Sequence, residues 1–249
     1  MKVLTLNTWG VNGPAERRPV LVKAIRDLQP DIALLQEVTD STLLDELGCS
    51  TRLLAEADGG LAIASRFPAL RYGSVTYRTV SPLEPYQRKL LLAQLDTDAG
   101  MLWVGCTHLS WKAEDGATRL AQAEELVRLV SALPEPLLIG GDFNAPPGEP
   151  PIQRMSEAGF NDLFSRLHPS DPGATWDNRN PFIQSHSVRF SDRRIDYLFM
   201  RYPVPDTDKG GRYSSPLLTP LACDVVCNQP SPAGLYPSDH YGVLAILER

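Results

Sequence analysis

The chain has 249 residues, of which 43% are hydrophobic, and this supplies enough apolar side chains for a folded core and excludes a disordered chain. Its formal net charge is -6 and its sequence pI is about 5.3. Because non-specific coating of duplex nucleic acid depends on a surplus of Lys and Arg, this charge argues against such a role and leaves room only for a local basic cleft.

The four cysteines do not form the pattern of a disulfide-rich or zinc-binding protein. Cys223 and Cys227 lack the paired spacing of a zinc site, and Cys106 lies in an apolar stretch, so we expect buried free thiols. No apolar run is long enough to span a membrane. The chain begins with a strand-like segment instead of a charged region followed by an apolar one, so we expect a cytoplasmic protein.

The first half of the chain is predicted to alternate strands with helices. Residues 1–6 have the character of a strand, and a helix follows over 19–28 because Val22, Ile25 and Leu28 fall at helical spacing. Residues 32–35 form a continuous apolar run, which is typical of a strand buried on both faces. Next come a short helix over 41–47 that Gly48 ends, strands over 61–64 and 70–77, and a loop marked by Pro82 and Pro85.

The second half begins with a predicted hairpin and an amphipathic helix. Strands over 90–95 and 101–107 are separated by a turn at 96–100. Over 118–131, apolar residues recur at spacings of three and four, which predicts a helix that packs on one face. The remaining predictions are a strand over 137–139, a helix over 151–158, a loop-rich segment over 168–191, strands over 195–200, 223–226 and 241–247, and a mobile segment over 203–216.

The run Gly140-Gly141-Asp142-Phe143-Asn144 follows the strand over 137–139. The paired glycines are expected to let the backbone turn tightly where a side chain would block it. Asp142 then lies at the carboxyl end of a strand, where ligands bind in α/β sheets, and Asn144 points to the same side. A carboxylate beside an amide suits an acid–base group next to a phosphate donor, although an ordinary turn also favours Asp and Asn.

Polar side chains end six of the predicted strands. Each has a structural alternative when taken singly: Asn7 as a turn residue, Glu37 as a helix cap, His108 as a core histidine, and Asp196 as the ion-pair partner of Arg193 or Arg194. The order and the local sequence of the whole set favour one shared site instead. The set consists of Asn7, Glu37, His108, Asp142 with Asn144, Asp196, and Asp239 with His240.

These residues stand in short motifs that resemble those of the endonuclease/exonuclease/phosphatase superfamily. The motifs are Leu6-Asn7-Thr8-Trp9-Gly10, Leu35-Gln36-Glu37-Val38, Thr107-His108-Leu109-Ser110, Gly141-Asp142-Phe143-Asn144, Ile195-Asp196-Tyr197 and Ser238-Asp239-His240. They occur in the family's order and extend over almost the whole chain. The resemblance implies an α/β fold, the four-layer α-β-β-α sandwich with two packed mixed β-sheets of deoxyribonuclease I-like proteins, in a single domain over residues 1–249.

The resemblance also implies a role for each residue around a metal ion. Glu37 would bind a divalent cation, Mg²⁺ with Mn²⁺ as an alternative, and Asn7 and Asp239 would complete or support that metal site. Asp142 would orient and deprotonate the attacking water, while Asn144 would donate a hydrogen bond to the transition state.

The resemblance allows more than one role for the remaining residues. His240, held by Asp196, would stabilise the phosphoryl oxygens or act as the base in place of Asp142. His108 would contact the phosphate or protonate the leaving group. Trp176 either faces the substrate or buries a loop. The pairs Arg88-Lys89 and Arg193-Arg194 either contact phosphate or belong to a solvated charged face.

The protein is therefore expected to be a divalent-metal-dependent hydrolase of phosphoester bonds. Its activity would be that of a phosphodiesterase, of which a nuclease is one kind. Its partner would be a phosphoester substrate, either a nucleic-acid end, a lipid headgroup or a small phosphate ester, and the protein would be a monomer. Alternatives are a sphingomyelinase-like or phosphomonoesterase activity, or a non-catalytic module that binds phosphate or nucleic acid. Substrate choice is expected to depend on loops such as 82–87 and 170–190.

Several other classes of enzyme are disfavoured because the sequence lacks residues or motifs that they need. Trp9 stands where apurinic endonucleases have a further acidic residue, so that branch is disfavoured. Four histidines are too few for a calcineurin-type metallophosphatase. Neither the Gly-x-Ser-x-Gly motif of serine hydrolases nor the Gly-Lys-Ser/Thr motif of phosphate-binding loops occurs.

Overall fold

Two six-stranded β-sheets pack face to face in the computed structural model, which describes residues 1–55, 60–203 and 217–249. The strands are β1 Lys2–Asn7, β2 Ile32–Gln36, β3 Thr51–Ala55, β4 Leu61–Ser65, β5 Ala69–Thr76, β6 Lys89–Thr97, β7 Gly100–His108, β8 Leu137–Asp142, β9 Asn161–Asp162, β10 Asp196–Arg201, β11 Thr219–Val226 and β12 Gly242–Glu248. The helices are α1 Arg17–Leu28, α2 Thr42–Leu47, α3 Gly116–Val130, α4 Pro150–Glu157 and α5 Leu163–Leu167, with a 3₁₀-helix at Pro181–Ser185.

Both sheets are mixed. The first has the strand order β11-β12-β1-β2-β4-β3, and the second has the order β5-β6-β7-β8-β10-β9. Strands β1 and β2 pair in parallel, as do β7 and β8, while the other neighbouring strands pair antiparallel. A crossover that contains a helix joins each parallel pair, as parallel pairing requires.

The apolar core forms three layers of contacts. Leu34, Val104 and Leu198 belong to the cluster between the sheets. Helices α1 and α2 cover the outer face of the first sheet, and α3 and α4 cover that of the second. This confirms the predicted α/β fold, a four-layer α-β-β-α sandwich. No helix among residues 1–55, 60–203 and 217–249 is long and apolar enough to cross a bilayer.

Strand pairing aligns the polar residues at the strand ends. In the first sheet, Asn7 at the end of β1 is opposite Gln36 at the end of β2. In the second sheet, Asp142 at the end of β8 is opposite both His108 on β7 and Asp196 on β10. The two sheets therefore present their polar strand ends at one edge of the sandwich.

The paired glycines lie inside β8, so the expected tight turn before Asp142 is wrong. Gly140 packs against the opposite sheet, where an added Cβ would lie 2.7 Å from Leu34 Cδ1. Gly141 has a φ of +157°, and a Cβ there would lie 2.1 Å from the carbonyl oxygen of Thr107. The glycines are needed because side chains would force the strands and the sheets apart.

Other elements differ from prediction in extent or were not assigned. Most boundaries move by one to four residues, and β11 begins at Thr219 instead of residue 223. Strands β3 and β9 and helix α5 were not predicted, because they are short and carry mixed polar and apolar residues without a clear period. The segment expected to be mobile falls largely on 204–216, outside the described residues.

All four cysteines are free. Cys106 and Cys223 are buried, as expected, and Cys49 and Cys227 are half-buried.

We expect Gly141→Ala to lower the free energy of unfolding by roughly 2–4 kcal/mol, because its Cβ would meet the β7 backbone and its φ disfavours a side chain. Gly73→Ala is the matched control, since Gly73 also lies in a strand and a Cβ there meets nothing within 4 Å. Urea unfolding measures both. Equal stability of the two variants would contradict the argument.

Candidate active site

A cleft of about 200 Å³ opens at the edge of the sandwich where the polar strand ends meet. Seven of the nine residues that were given a catalytic, metal-binding or substrate-binding role line it: Glu37, His108, Asp142, Asn144, Trp176, Asp239 and His240. The other two lie directly behind the lining. Asn7 donates hydrogen bonds to Glu37 and Asp142, and Asp196 bonds to His240.

Asp142 is the residue on which most of these contacts converge. Its Oδ1 accepts a hydrogen bond of 2.9 Å from the backbone N–H of Asn144, and its Oδ2 accepts one of 3.1 Å from Asn7 Nδ2. His108 Nε2 lies 3.4 Å from the same Oδ2, and His240 Nε2 lies 3.8 Å from it. The side chain is 1% exposed, so the carboxylate has one fixed position.

Glu37 and Asp239 add two more carboxylates to the cleft. Asn7 Nδ2 lies 3.1 Å from Glu37 Oε1, so one amide connects Glu37 to Asp142. Asp239 Oδ2 lies 2.9 Å from His186 Nε2, and the neighbouring Ser238 hydroxyl donates to the Asn7 carbonyl at 2.7 Å. These bonds join the ends of β1 and β2 to the segment that leads into β12.

The backbone at the cleft is unusual. Trp9, Glu37 and Asn144 have φ values of +57°, +57° and +50°, a region that side-chain-bearing residues rarely adopt. Such conformations persist only where the surrounding contacts impose them, and they concentrate at functional sites. All three residues line the cleft.

His240 and Asp196 form a buried pair with 3.0 Å between Nδ1 and Oδ2. Burial alone would lower the pKa of His240, but the surrounding carboxylates, Asp196 first, hold that pKa well above its ordinary value. His240 is therefore protonated at neutral pH. Burial, with the cations of Arg88 and His240, holds the pKa of His108 well below its ordinary value, so His108 is neutral.

Two carboxylates of the cleft, Asp142 and Glu37, also have perturbed pKa values. Burial, followed by the charge of Asp196, raises the pKa of Asp142 to about 7. Burial and the negative charge of Asp239 raise the pKa of Glu37. The cause in both cases is an excess of acidic groups in a volume with little water. Groups shifted this far are typical of catalytic and metal-binding sites.

Two sets of residues are candidates for holding a cation. Asp142, Asp196 and His240 place one ligand atom each within 4.8 Å of one another, which is compact enough for a metal ion. In that set, however, His240 and Asp196 already satisfy each other. Glu37, which accepts a hydrogen bond from the Asn7 amide, and Asp239 both line the cleft, and their carboxylate oxygens match the preference of Mg²⁺ for oxygen ligands.

Trp176 buries a loop and also lines the cleft. The side chain is 6% exposed and packs with Ile183 and Ile195, so it does bury a loop. Its ring also contacts His240 edge-on, with 5.1 Å between centroids, and forms part of the cleft wall. Packing against the loop orients the ring toward His240.

One arginine of each basic pair is buried, so these arginines do not belong to the solvated charged face that was one expectation. Arg88 is buried and pairs with Glu84 at 2.8 Å, and Arg194 is buried and pairs with Asp162 at 2.7 Å. The suggested bond from Arg194 to Asp196 is therefore wrong. A solvated face is excluded for both residues because each guanidinium is enclosed by the fold and neutralised by a specific carboxylate.

Several residues in or near the cleft were not predicted individually. Tyr86, His186 and Phe190 lie in the loops 82–87 and 170–190 that were expected to set substrate choice, whereas nothing in the sequence indicated Trp111 or Arg17, the first residue of α1. Arg17 is 3% exposed and donates to the carbonyls of Thr8, Gly10, Asn12 and Pro237, so it ties the segment after β1 to the one before Asp239. Polar and aromatic residues from other loops complete the wall. They are Tyr86, Trp111, His186 and Phe190.

A family model described as the Endonuclease/Exonuclease/phosphatase family matches residues 4–240. The match includes every residue placed at the cleft and covers nearly the whole chain. The chain therefore belongs to the endonuclease/exonuclease/phosphatase family.

Individual relatives agree with this assignment. The uncharacterized protein YbhP of Escherichia coli K12 is 27% identical over 213 residues, which cover 74% of this chain and 81% of YbhP. TDP2 of D. rerio, solved in complex with a single-strand DNA product, has a TM-score of 0.77 at 20% identity, covering 100% of this chain and 99% of TDP2. The mannosyl-6-phosphatase Bt3783 of Bacteroides thetaiotaomicron has a TM-score of 0.73 at 17% identity, with 100% of both chains covered. The structural matches establish a shared fold.

We expect Asp196→Asn to lower the pKa of His240, because the carboxylate that most favours its protonated form is removed. NMR titration of the ring resonances measures this, with Asp27→Asn on the exposed side of α1 as the control for charge. The raised pKa stabilises the fold fully below pH 6.5, and this contribution is lost as the pH rises through the folded value. An unchanged His240 titration would show that Asp196 does not set its charge.

Proposed function

We propose that this protein is a divalent-metal-dependent hydrolase of phosphoester bonds, with its active site in the cleft. The family carries out phosphoester chemistry, and the observation that supports the proposal most strongly is the setting of Asp142. Its carboxylate is fixed by Asn7 and Asn144, has a pKa raised to about 7, and faces a protonated histidine across 3.8 Å. A base and a cationic group side by side are what attack of water on a phosphate requires.

In this proposal Asp142 is the general base and His240 is not. A base must be unprotonated before it accepts a proton, and the pKa of His240 lies well above its ordinary value. Asp142, with a pKa of about 7, is partly ionised at neutral pH and basic enough to accept a proton from water. The His240 cation is then free to stabilise the negative charge on the phosphoryl oxygens.

The remaining groups complete the reaction site. The Asn144 side chain donates to the carbonyl of Leu109 at 3.1 Å, which holds Asn144 at the cleft wall, where its amide can turn to a phosphoryl oxygen. Neutral His108 has an unpaired, buried Nδ1 and is a candidate hydrogen-bond partner for the substrate or leaving group. Trp176 forms the wall against which the bound ester lies.

Glu37 and Asp239 would hold the cation, with Asn7 supporting the site through its hydrogen bond to Glu37, and we propose that the cation is Mg²⁺, with Mn²⁺ as an alternative. The donor set fits because burial, and next the negative charge of Asp239, raises the pKa of Glu37, and a divalent cation would offset that negative charge. When bound, the metal would withdraw charge from the phosphate. His186 would orient Asp239 through their 2.9 Å contact.

The proposed substrate is an ester of phosphoric acid of moderate size. The relatives include TDP2 with a DNA product and a mannosyl-6-phosphatase, so nucleic-acid ends and sugar phosphates both belong in a first substrate panel. A net charge of -6 favours short or small substrates over long duplexes.

We expect Asp142→Asn to reduce kcat by about a thousandfold, because an amide cannot accept the proton of the attacking water. Hydrolysis of bis-p-nitrophenyl phosphate with Mg²⁺ provides the measurement, and Asp27→Asn is the charge-matched control. Full activity in Asp142→Asn would remove this residue as the base. If the wild-type protein hydrolyses no phosphoester, the protein is a binding module on this fold.

We expect Glu37→Gln to weaken Mg²⁺ binding by on the order of 10- to 100-fold, since it removes one anionic oxygen ligand. Isothermal titration calorimetry with Mg²⁺ tests this directly, without a substrate. Glu114→Gln is a suitable control because Glu114 is exposed. Equal Mg²⁺ affinity in the two variants would place the cation elsewhere, with the group of Asp142, Asp196 and His240 as the next candidate.

A further inference from the structure

Arg193 is the one Lys or Arg among the described residues that line the cleft. It shares the cleft with three carboxylates, those of Glu37, Asp142 and Asp239. In the described part of the chain its guanidinium has no hydrogen bond and no ion pair, and its Nε is buried without a partner. By contrast, the adjacent Arg194 and the buried Arg88 each have a carboxylate partner.

The position of Arg193 is fixed by its backbone and by one aromatic ring. Its N–H donates to the Trp176 carbonyl at 2.9 Å, and its carbonyl accepts from the Trp176 N–H at 3.0 Å. The guanidinium carbon lies 3.5 Å from the ring centroid of Phe190. A guanidinium stacked in this way keeps its edge N–H groups available to a ligand and has already lost much of its rotational freedom.

A half-buried cation without a counter-ion is a site for an anion. Burial lowers the pKa of Arg193, while the charge of Asp142 acts in the opposite direction, but a guanidinium remains charged at any pH at which proteins fold. Its planar pair of N–H donors matches two oxygens of a phosphate group. The cleft already holds the groups that we assign to phosphate chemistry, so the anion and the reaction share one place.

We propose that Arg193 binds the non-bridging oxygens of the phosphate that is cleaved, from the side of the cleft formed by Trp176 and Phe190. This inference rests on the proposed function for the identity of the anion. It makes Arg193 a substrate-binding residue that orients the phosphate between the His240 cation and the Asp142 carboxylate. It also distinguishes Arg193 from the other three residues of the two basic pairs.

The first test is binding of inorganic phosphate, measured by isothermal titration calorimetry in the presence of Mg²⁺. Arg193→Gln should weaken phosphate binding about 10- to 100-fold, because a charge-assisted pair of hydrogen bonds is lost. Arg71 lies on the exposed strand β5 and is not among the residues that line the cleft. Arg71→Gln therefore removes the same charge outside the site and should leave the affinity unchanged. Equal affinity in both variants, or no phosphate binding by the wild-type protein, overturns the proposal.

The second test is steady-state hydrolysis of bis-p-nitrophenyl phosphate, which has a single phosphate, and of a single-stranded oligonucleotide. Arg193→Gln should raise KM on both substrates by a similar factor, since both present the cleaved phosphate. An effect confined to the oligonucleotide would assign Arg193 to a neighbouring phosphate and would overturn the inference as stated.

A second variant at Arg193 keeps the tests decisive. Arg193→Lys retains the charge but loses the paired donors, so its phosphate affinity should fall between those of wild type and Arg193→Gln. It carries the test if Arg193→Gln fails to fold. Phosphate binding requires no turnover, so loss of the Asp142 mechanism and loss of the Arg193 inference are separate results.

Discussion

The site depends on the close approach of β8 to the opposite sheet at Gly140 and to β7 at Gly141. Without side chains at these positions, β8 lies close to β7 and to the opposite sheet, where a Cβ on Gly140 would meet Leu34. This proximity brings Asn7 of the first sheet within 3.1 Å of Asp142 in the second. A single amide thus joins carboxylates from both sheets, and neither sheet alone has the site.

The second constraint is electrostatic. Asp142, Asp196, Asp239 and Glu37 are gathered in a small, poorly solvated volume, and burial raises the pKa of both Asp142 and Glu37. Leaving so many like charges together costs free energy, which protonation of His240 offsets in part. A divalent cation would supply further positive charge. The same burial and crowding of carboxylates that destabilise the fold also raise the pKa of Asp142, which makes it the stronger base that we assign to the reaction. Stability and reactivity at this edge therefore oppose each other.

The cleft has an inner wall and an outer wall, and the two differ in composition. The inner wall is built from short segments at strand ends. The outer wall is aromatic and comes from long connections, with Trp176 edge-on to His240 and Arg193 stacked on Phe190. The 3₁₀-helix at Pro181–Ser185 and the bridge between Trp176 and Arg193 hold these connections in place. In the proposed reaction the inner wall would bind the phosphate group that all such esters share, and the outer wall would contact the parts of a substrate that distinguish one ester from another.

The sequence by itself determined the parts of this protein that depend on local order. Apolar runs and periodic spacing identified most strands and helices, and the short motifs around Asn7, Glu37, Asp142 and His240 identified the family and hence the sandwich. Short elements such as β3 and α5 had too few residues to show a period. Only the tertiary structure decided that the glycines serve sheet packing, that Arg88 and Arg194 are neutralised inside the fold, and that His186 and Arg193 line the cleft. The reason is physical: burial, pairing of charges and pKa depend on residues far apart in the chain, and no local pattern records which of them will meet.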